Sequence, residues 1–171
     1  CLIEYSKGLE EFPIGGAVSL YNFSELEITN CIIRSNCAFY GGAIGCEYQS
    51  SPVITGNLLT GNYASVSGSP LYCSYSYPKI INNTITENHV LNSDAYIENG
   101  SIVNFISKPL LLGNIIWSNS NNYFLPVQIW EGKGFYTSLN DIEGGYAGTG
   151  NLAEDPLFNL AEPYPFSLSQ Y

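Results

Sequence analysis

The chain has 171 residues, enough for one domain that closes its own hydrophobic core without metal or disulfide staples. Only 12% of residues are charged and 14% are aromatic, with Gly, Asn, Ser and Tyr abundant; this profile suits strands and turns and excludes a mainly helical protein. Fifteen acidic against five basic residues give a formal net charge of -10, which repels polyanions and excludes nucleic acid as the expected partner, and no apolar run reaches the ~18 residues of a transmembrane segment.

The chain contains no Met and starts at Cys1. It therefore reads as a trimmed or processed piece of a larger protein rather than as a lipoprotein whose cysteine was exposed by signal cleavage.

Internal periodicity decides the reading of the elements. In chain order, four segments follow one template: Ile28-Thr-Asn-Cys-Ile-Ile-Arg-Ser-Asn36, Ile54-Thr-Gly-Asn-Leu-Leu-Thr-Gly-Asn62, Ile80-Ile-Asn-Asn-Thr-Ile-Thr-Glu-Asn88 and Leu111-Leu-Gly-Asn-Ile-Ile-Trp-Ser-Asn119. Their closing asparagines are spaced by 26, 26 and 31 residues, so the third step carries an insertion of five. Cys1-Leu-Ile-Glu-Tyr-Ser6 matches Cys31-Ile-Ile-Arg-Ser-Asn36, and the chain opens partway round a repeat.

A second block keeps the same phase: Gly16-Ala-Val18, Gly42-Ala-Ile44 and Ser69-Pro-Leu71, with Ser51-Pro52, Tyr77-Pro78 and Lys108-Pro109 following. Short apolar strands separated by Asn, Gly, Ser and Pro corners cannot bury a face alone and must stack.

At the strand spacing of ~4.8 Å, stacking turns equivalent residues into columns. Val18, Ile44, Leu71, Ile102 and Ile129 form one apolar column, Ile28, Ile54, Ile80 and Leu111 a second, and Ile33, Leu59, Ile85 and Ile116 a third. Three columns predict three short strands per coil and five to six coils.

Asn57, Asn83 and Asn114, with Cys31 in register, form one polar column, and Asn36, Asn62, Asn88 and Asn119 form another. Stacked amides satisfy buried turn backbone, so both are expected to be structural ladders.

The combination of GGAI, SSPVITGN, NNTIT and NIIWSN resembles the right-handed parallel β-helix repeats of large bacterial exported proteins. Ser138-Leu-Asn-Asp-Ile-Glu-Gly-Gly145, Asp155-Pro-Leu-Phe158 and Pro165-Phe-Ser-Leu168 look like the final coil and closing segment of such a repeat. The resemblance implies an all-β, right-handed, single-stranded solenoid over residues 1–171, closing over 151–171. It also implies an extracellular or cell-surface location. It does not select an activity, because the scaffold hosts lyases, hydrolases, adhesins and passive stalks.

Candidate chemistry is sparse. A Ca²⁺-dependent polysaccharide lyase needs clustered acids and a cationic base; Arg34 is the one invited base, and its column continues as Thr60, Thr86 and Trp117. A glycoside hydrolase needs paired carboxylates at ~5 to 10 Å; Glu25 and Glu27 near Glu47, or Asp141 with Glu143, are the candidates. Neither pair carries polygalacturonase-like Asn-Thr-Asp, Asp-Asp or Gly-His-Gly signatures, and His89 has no partner in sequence.

Five cysteines without paired C-x-x-C spacing do not suggest zinc. Cys46 and Cys73 occupy matching inward places and are expected as buried thiols, a disulfide between them being the alternative. Neither a metal nor a cofactor is expected, with Ca²⁺ entering only under the lyase alternative.

The surface feature with a binding rationale is aromatic: Tyr48, Tyr75 and Tyr77 recur after the Cys46 and Cys73 strands, with Tyr21 and Phe23 before them and Phe105 after. Such rings can pack on sugars, or they can fill corners. The insertion from Val90 to Gly100, holding Asp94 and Glu98, is where a binding loop would be grafted.

The functional expectation is a non-catalytic extracellular scaffold, spacer or adhesin-like module contacting polysaccharide or cell-surface glycan. The alternative is a polysaccharide lyase or glycoside hydrolase, or the inactive flank of one. The open first coil invites end-to-end association.

Overall fold

The computed structural model describes residues 1–8, 14–91, 100–121, 128–131 and 134–158, and these contain strands, turns and bends with no helix. Every strand pair is parallel. Strands from successive repeats stack into four sheets of six, four, five and five strands, giving a solenoid of about five turns.

Face I holds Leu2–Glu4, Ile32–Arg34, Leu58–Thr60, Thr84–Thr86, Ile115–Trp117 and Asp141–Ile142. Face II holds Cys37–Tyr40, Tyr63–Ser67, His89–Val90 and Ser120–Asn121. Face III holds Val18–Leu20, Ile44–Glu47, Leu71–Ser74, Ile102–Phe105 and Ile129–Glu131. Face IV holds Glu27–Thr29, Val53–Thr55, Lys79–Ile81, Leu110–Leu112 and Tyr136–Ser138.

Faces I, III and IV are the three expected from the apolar columns, and their registers match: Ile33 lies on Leu59, Ile44 on Leu71, and Ile54 on Ile80. Face II is a fourth strand per turn that the columns did not announce. Its inward places are taken by Ala38, Ala64 and Val90 and, at the last strand, Asn121. Small or polar side chains there leave no bulky apolar column to read, and a register shift between Ala38 and Tyr40 blurs the alternation further.

The core is the stack of these columns: Ile33, Ile44, Ile54, Leu59, Leu71, Ile80, Ile85, Ile102, Leu111 and Ile116 are fully buried. Each such side chain contributes ~1.5–3 kcal/mol relative to exposure. Cys46 lies on Cys73 in register; both are free thiols with no solvent exposure. The hydrogen bond with Cys73, and then burial, push the Cys46 thiol well above its usual range, so it stays protonated and inert.

Both asparagine ladders form. Asn57 donates its backbone N–H and its side-chain amide to Asn83 Oδ1 at 2.9 and 3.0 Å, and the same amide reaches the Ile28 carbonyl at 2.8 Å. Asn83 repeats this on Asn114, and Asn114 on Asn140. Asn140 then donates to Asn151, two rungs beyond those expected. Asn36, Asn62, Asn88 and Asn119 form the second ladder, which ends on Gln128.

Corners turn through left-handed backbone. At the corner from face II to face III, Gly41 has φ 64°, and a Cβ on the adjacent Gly42 would strike the Tyr63 and Ser69 carbonyls. Close approach of stacked backbones thus explains the Gly-Gly-Ala block. The five extra residues of the third repeat come in sequence between His89–Val90 on face II and Ile102–Phe105 on face III, where the register resumes with Leu71 on Ile102. Asp94 and Glu98 lie outside the described residues, as does most of the closing segment beyond residue 158.

Candidate functional site: an aromatic corner between faces III and IV

The corner after face III is built from two opposed demands. Inside, serine hydroxyls close the turn: Ser24 donates to the Tyr21 carbonyl, Ser50 to the Glu47 carbonyl and Ser76 to the Ser74 carbonyl. The Ser76 N–H is bonded to Ser107 Oγ in the next coil. Outside, the residue that makes the turn sits in left-handed backbone in each of the four coils where it is described: Asn22, Tyr48, Tyr75 and Ile106 have φ of 52°, 49°, 49° and 51°.

Asparagine is at ease there, whereas two tyrosines and a β-branched isoleucine are not. The equivalent turn between faces IV and I uses Asn30, Gly56, Asn82 and Gly113 for its first four left-handed residues and Leu139 for the fifth. The III/IV corner therefore carries bulky side chains where smaller ones would fold at less cost.

Their rings form a row along the solenoid axis. Tyr21 packs edge-on to Tyr48 at 4.8 Å, Tyr48 stacks with Tyr75 at 6.5 Å and 15°, and Tyr75 meets Phe105 edge-on at 5.9 Å. Tyr21, Tyr48 and Tyr75 keep 52%, 49% and 45% of their surface exposed, and Ile106 keeps 57%. Desolvation by its neighbours, followed by Tyr48 and the charge of Glu47, pushes the Tyr21 phenol above its usual value.

Tyr77 is exposed but stands outside this row. Its N–H bonds to the Ser50 carbonyl, which sets it beside Ser51 on the face IV side of the turn, with Lys108 next in the column. Sequence recurrence grouped the three tyrosines; the serine turn separates one of them.

The carboxylate candidates are placed apart or given structural partners. Glu27 starts a face IV strand on Val53, while Glu47 ends a face III strand on Ser74, so the corner lies between them. Glu25 and Glu27 are exposed; Glu47 is half-buried, and burial raises its pKa. Glu143 accepts from the Ser118 N–H at 2.9 Å and Gln128 Nε2 at 2.7 Å, and Asp141 accepts from the Glu154 N–H.

Arg34 is bound by Glu4 at 2.6 Å, both partly exposed. The match between Cys1–Ser6 and Cys31–Asn36 already placed Glu4 on Arg34, a partner the sequence reading did not use. A guanidinium held this way is a surface ion pair rather than a poised base.

His89 also has a partner the sequence reading missed. Its Nδ1 lies 3.0 Å from Ser120 Oγ, because the 31-residue step that pairs Asn88 with Asn119 pairs the residues after them as well. A nucleophilic serine needs oxyanion donors besides a base, but the Ser120 N–H is bonded to the Asn88 carbonyl within the ladder. The contact is a polar rung on face II. Among the described residues, no group of three metal-ligating side chains converges, and no helix is long and apolar enough to cross a membrane.

Parallel registered faces, amide ladders and glycine-tight corners define a single-chain parallel β-solenoid. The chain belongs to the right-handed β-helix family, whose model, described as a right handed beta helix region, matches residues 16–149. No curated protein and no solved structure matches it.

Proposed function

We propose that this chain is a non-catalytic, extracellular or cell-surface β-helix segment that serves as a spacer or adhesin-like module and contacts neutral polysaccharide through the III/IV corner. The observation that carries this reading is the row of exposed Tyr21, Tyr48 and Tyr75 ending on half-buried Phe105, held partly by residues in left-handed backbone that asparagine or glycine would occupy more easily. Strained positions that keep bulky exposed groups point to selection for the surface rather than for the turn. Aromatic rings pack against the C–H surface of sugars. The net charge of -10, with Glu25, Glu27 and Glu47 bordering the corner, disfavours acidic polymers. End-to-end contact through the first coil belongs to the same reading.

The test is affinity electrophoresis and pull-down with neutral β-glucans, xylan and polygalacturonate, alongside a Tyr48→Ala, Tyr75→Ala double variant. Retention by a neutral polymer is expected, weakened about 5- to 150-fold in the variant, as two lost ring contacts at ~0.5–1.5 kcal/mol each imply. Release of reducing or unsaturated ends would overturn the non-catalytic reading in favour of a lyase or hydrolase. Absence of retention by every polymer would remove the glycan role and leave the spacer.

A further inference from the structure

We propose that Cys1 and Cys31 are a disulfide-forming pair that bolts the first coil to the second. The register Leu2 on Ile32 sets Cys1 beside Cys31 at the entry to two neighbouring parallel strands, at a spacing of ~4.8 Å that falls within the Cα range of disulfides. Their sulfurs lie 2.6 Å apart and both are free thiols, about half an ångström beyond the ~2.05 Å of a formed bond.

The place in the fold gives this contact its meaning. Cys31 stands in the ladder column of Asn57, Asn83, Asn114 and Asn140, and Asn57 Oδ1 accepts its N–H at 2.9 Å. In every later coil of that column an amide bridges to its neighbour by hydrogen bonds. Between Cys1 and Cys31 the column holds two thiols, poor substitutes for amides, and a covalent bridge takes the place of the rung.

Access separates this pair from the other stacked pair. Cys1 is exposed, whereas Cys46 and Cys73 are wholly buried with the Cys46 thiol protonated. A low-molecular-weight disulfide can therefore reach Cys1. The Cys1 thiolate attacks it, forming a mixed disulfide and releasing one small thiol. Cys31 Sγ then attacks the Cys1 sulfur, the Sγ–Sγ bond forms and the second small thiol leaves. Two protein thiols are oxidised and one small disulfide is reduced to two thiols.

The experiment is oxidation of the whole chain with excess oxidised glutathione, alkylation under denaturing conditions and tryptic mapping without reductant. Cleavage after Lys7 and Arg34 places Cys1 and Cys31 on peptides 1–7 and 8–34, and Cys37, Cys46 and Cys73 together on 35–79. The expected product is 1–7 joined to 8–34, with 35–79 fully alkylated. The oxidised chain should melt on the order of 10 °C above the reduced one, as closing a loop of this length predicts. Cys1→Ser, a change at an exposed position, should melt with the reduced wild type and gain nothing from oxidant. Separate alkylation or glutathionylation of Cys1 and Cys31, a link to 35–79, or an equal gain in Cys1→Ser would each overturn the proposal.

Discussion

Replacing Asn83 by alanine removes an interior rung of the amide ladder that runs from Asn57 to Asn151. Asn83 Oδ1 accepts the Asn57 N–H and the Asn57 amide at 2.9 and 3.0 Å, and its own amide donates to the Ile54 carbonyl at 2.8 Å. The residue is almost wholly buried. Alanine thus orphans a buried backbone N–H and a buried backbone carbonyl, at ~1–3 kcal/mol each, for a total loss of about 2–6 kcal/mol. That is a large share of the ~5–15 kcal/mol that holds an ordinary domain folded. Asn151→Ala is the internal control: it deletes the last rung, where Asn140 is bonded at 3.0 and 3.2 Å in a part-buried setting and water can replace the lost acceptor. Its loss should stay near ~0.5–1.5 kcal/mol. Urea unfolding followed by far-ultraviolet circular dichroism reads both values. A loss below about 1 kcal/mol for Asn83→Ala, or one equal to that of Asn151→Ala, would refute the view that the ladder satisfies buried backbone.

Ile106→Asn should stabilise the protein by about 1 kcal/mol, because a left-handed isoleucine costs ~1–2 kcal/mol while its 57% exposure leaves little burial to lose; a lowered melting temperature would contradict this. Glu47→Gln should raise the melting temperature at neutral pH and lose that advantage in acid. Burial lifts the folded-state pKa of Glu47 above its unfolded value, so the folded state holds the proton more tightly. Stability from this group is present below the unfolded pKa of ~4.3 and is lost as pH rises through the folded value. Melting curves of both proteins from acid to neutral pH should converge at the acid end.

Much of the fold was legible because stacking writes each contact into the sequence at a fixed offset. Ile54 on Ile80 and Asn57 on Asn83 follow from the period alone. Asn140 could have been found the same way, 26 residues beyond Asn114, had the Ser138-Leu-Asn-Asp-Ile segment been aligned with the ladders. Face II stayed hidden because Ala38 and Ala64 fill its interior without an apolar signature. The candidate site was half visible. Recurrence picked out Tyr48 and Tyr75, but left-handed turns are read from Gly and Asn, so nothing in a tyrosine announced the corner they make or the side of it on which Tyr77 falls. Pairings across the long third step, such as His89 with Ser120, needed the 31-residue offset applied to every residue and not only to the asparagines.

The amide ladders also have a direction. In each rung the N–H groups of one coil point to the Oδ1 of the following coil, so the dipoles align head to tail and bonds in the chain polarise one another by ~10–30%. A column of this kind behaves as a linear polymer with a growing sense, since a coil added in the opposite sense would set donor against donor. Such a polymer also needs terminators, and both columns have one. Asn151 turns its amide back to the Tyr146 carbonyl, and Gln128 accepts from Asn119 but donates to the Asn119 carbonyl and Glu143. Each accepts the last donor of its column and, among the described residues, turns its own amide to a neighbouring carbonyl or carboxylate, so the head-to-tail run of amides stops at these two side chains.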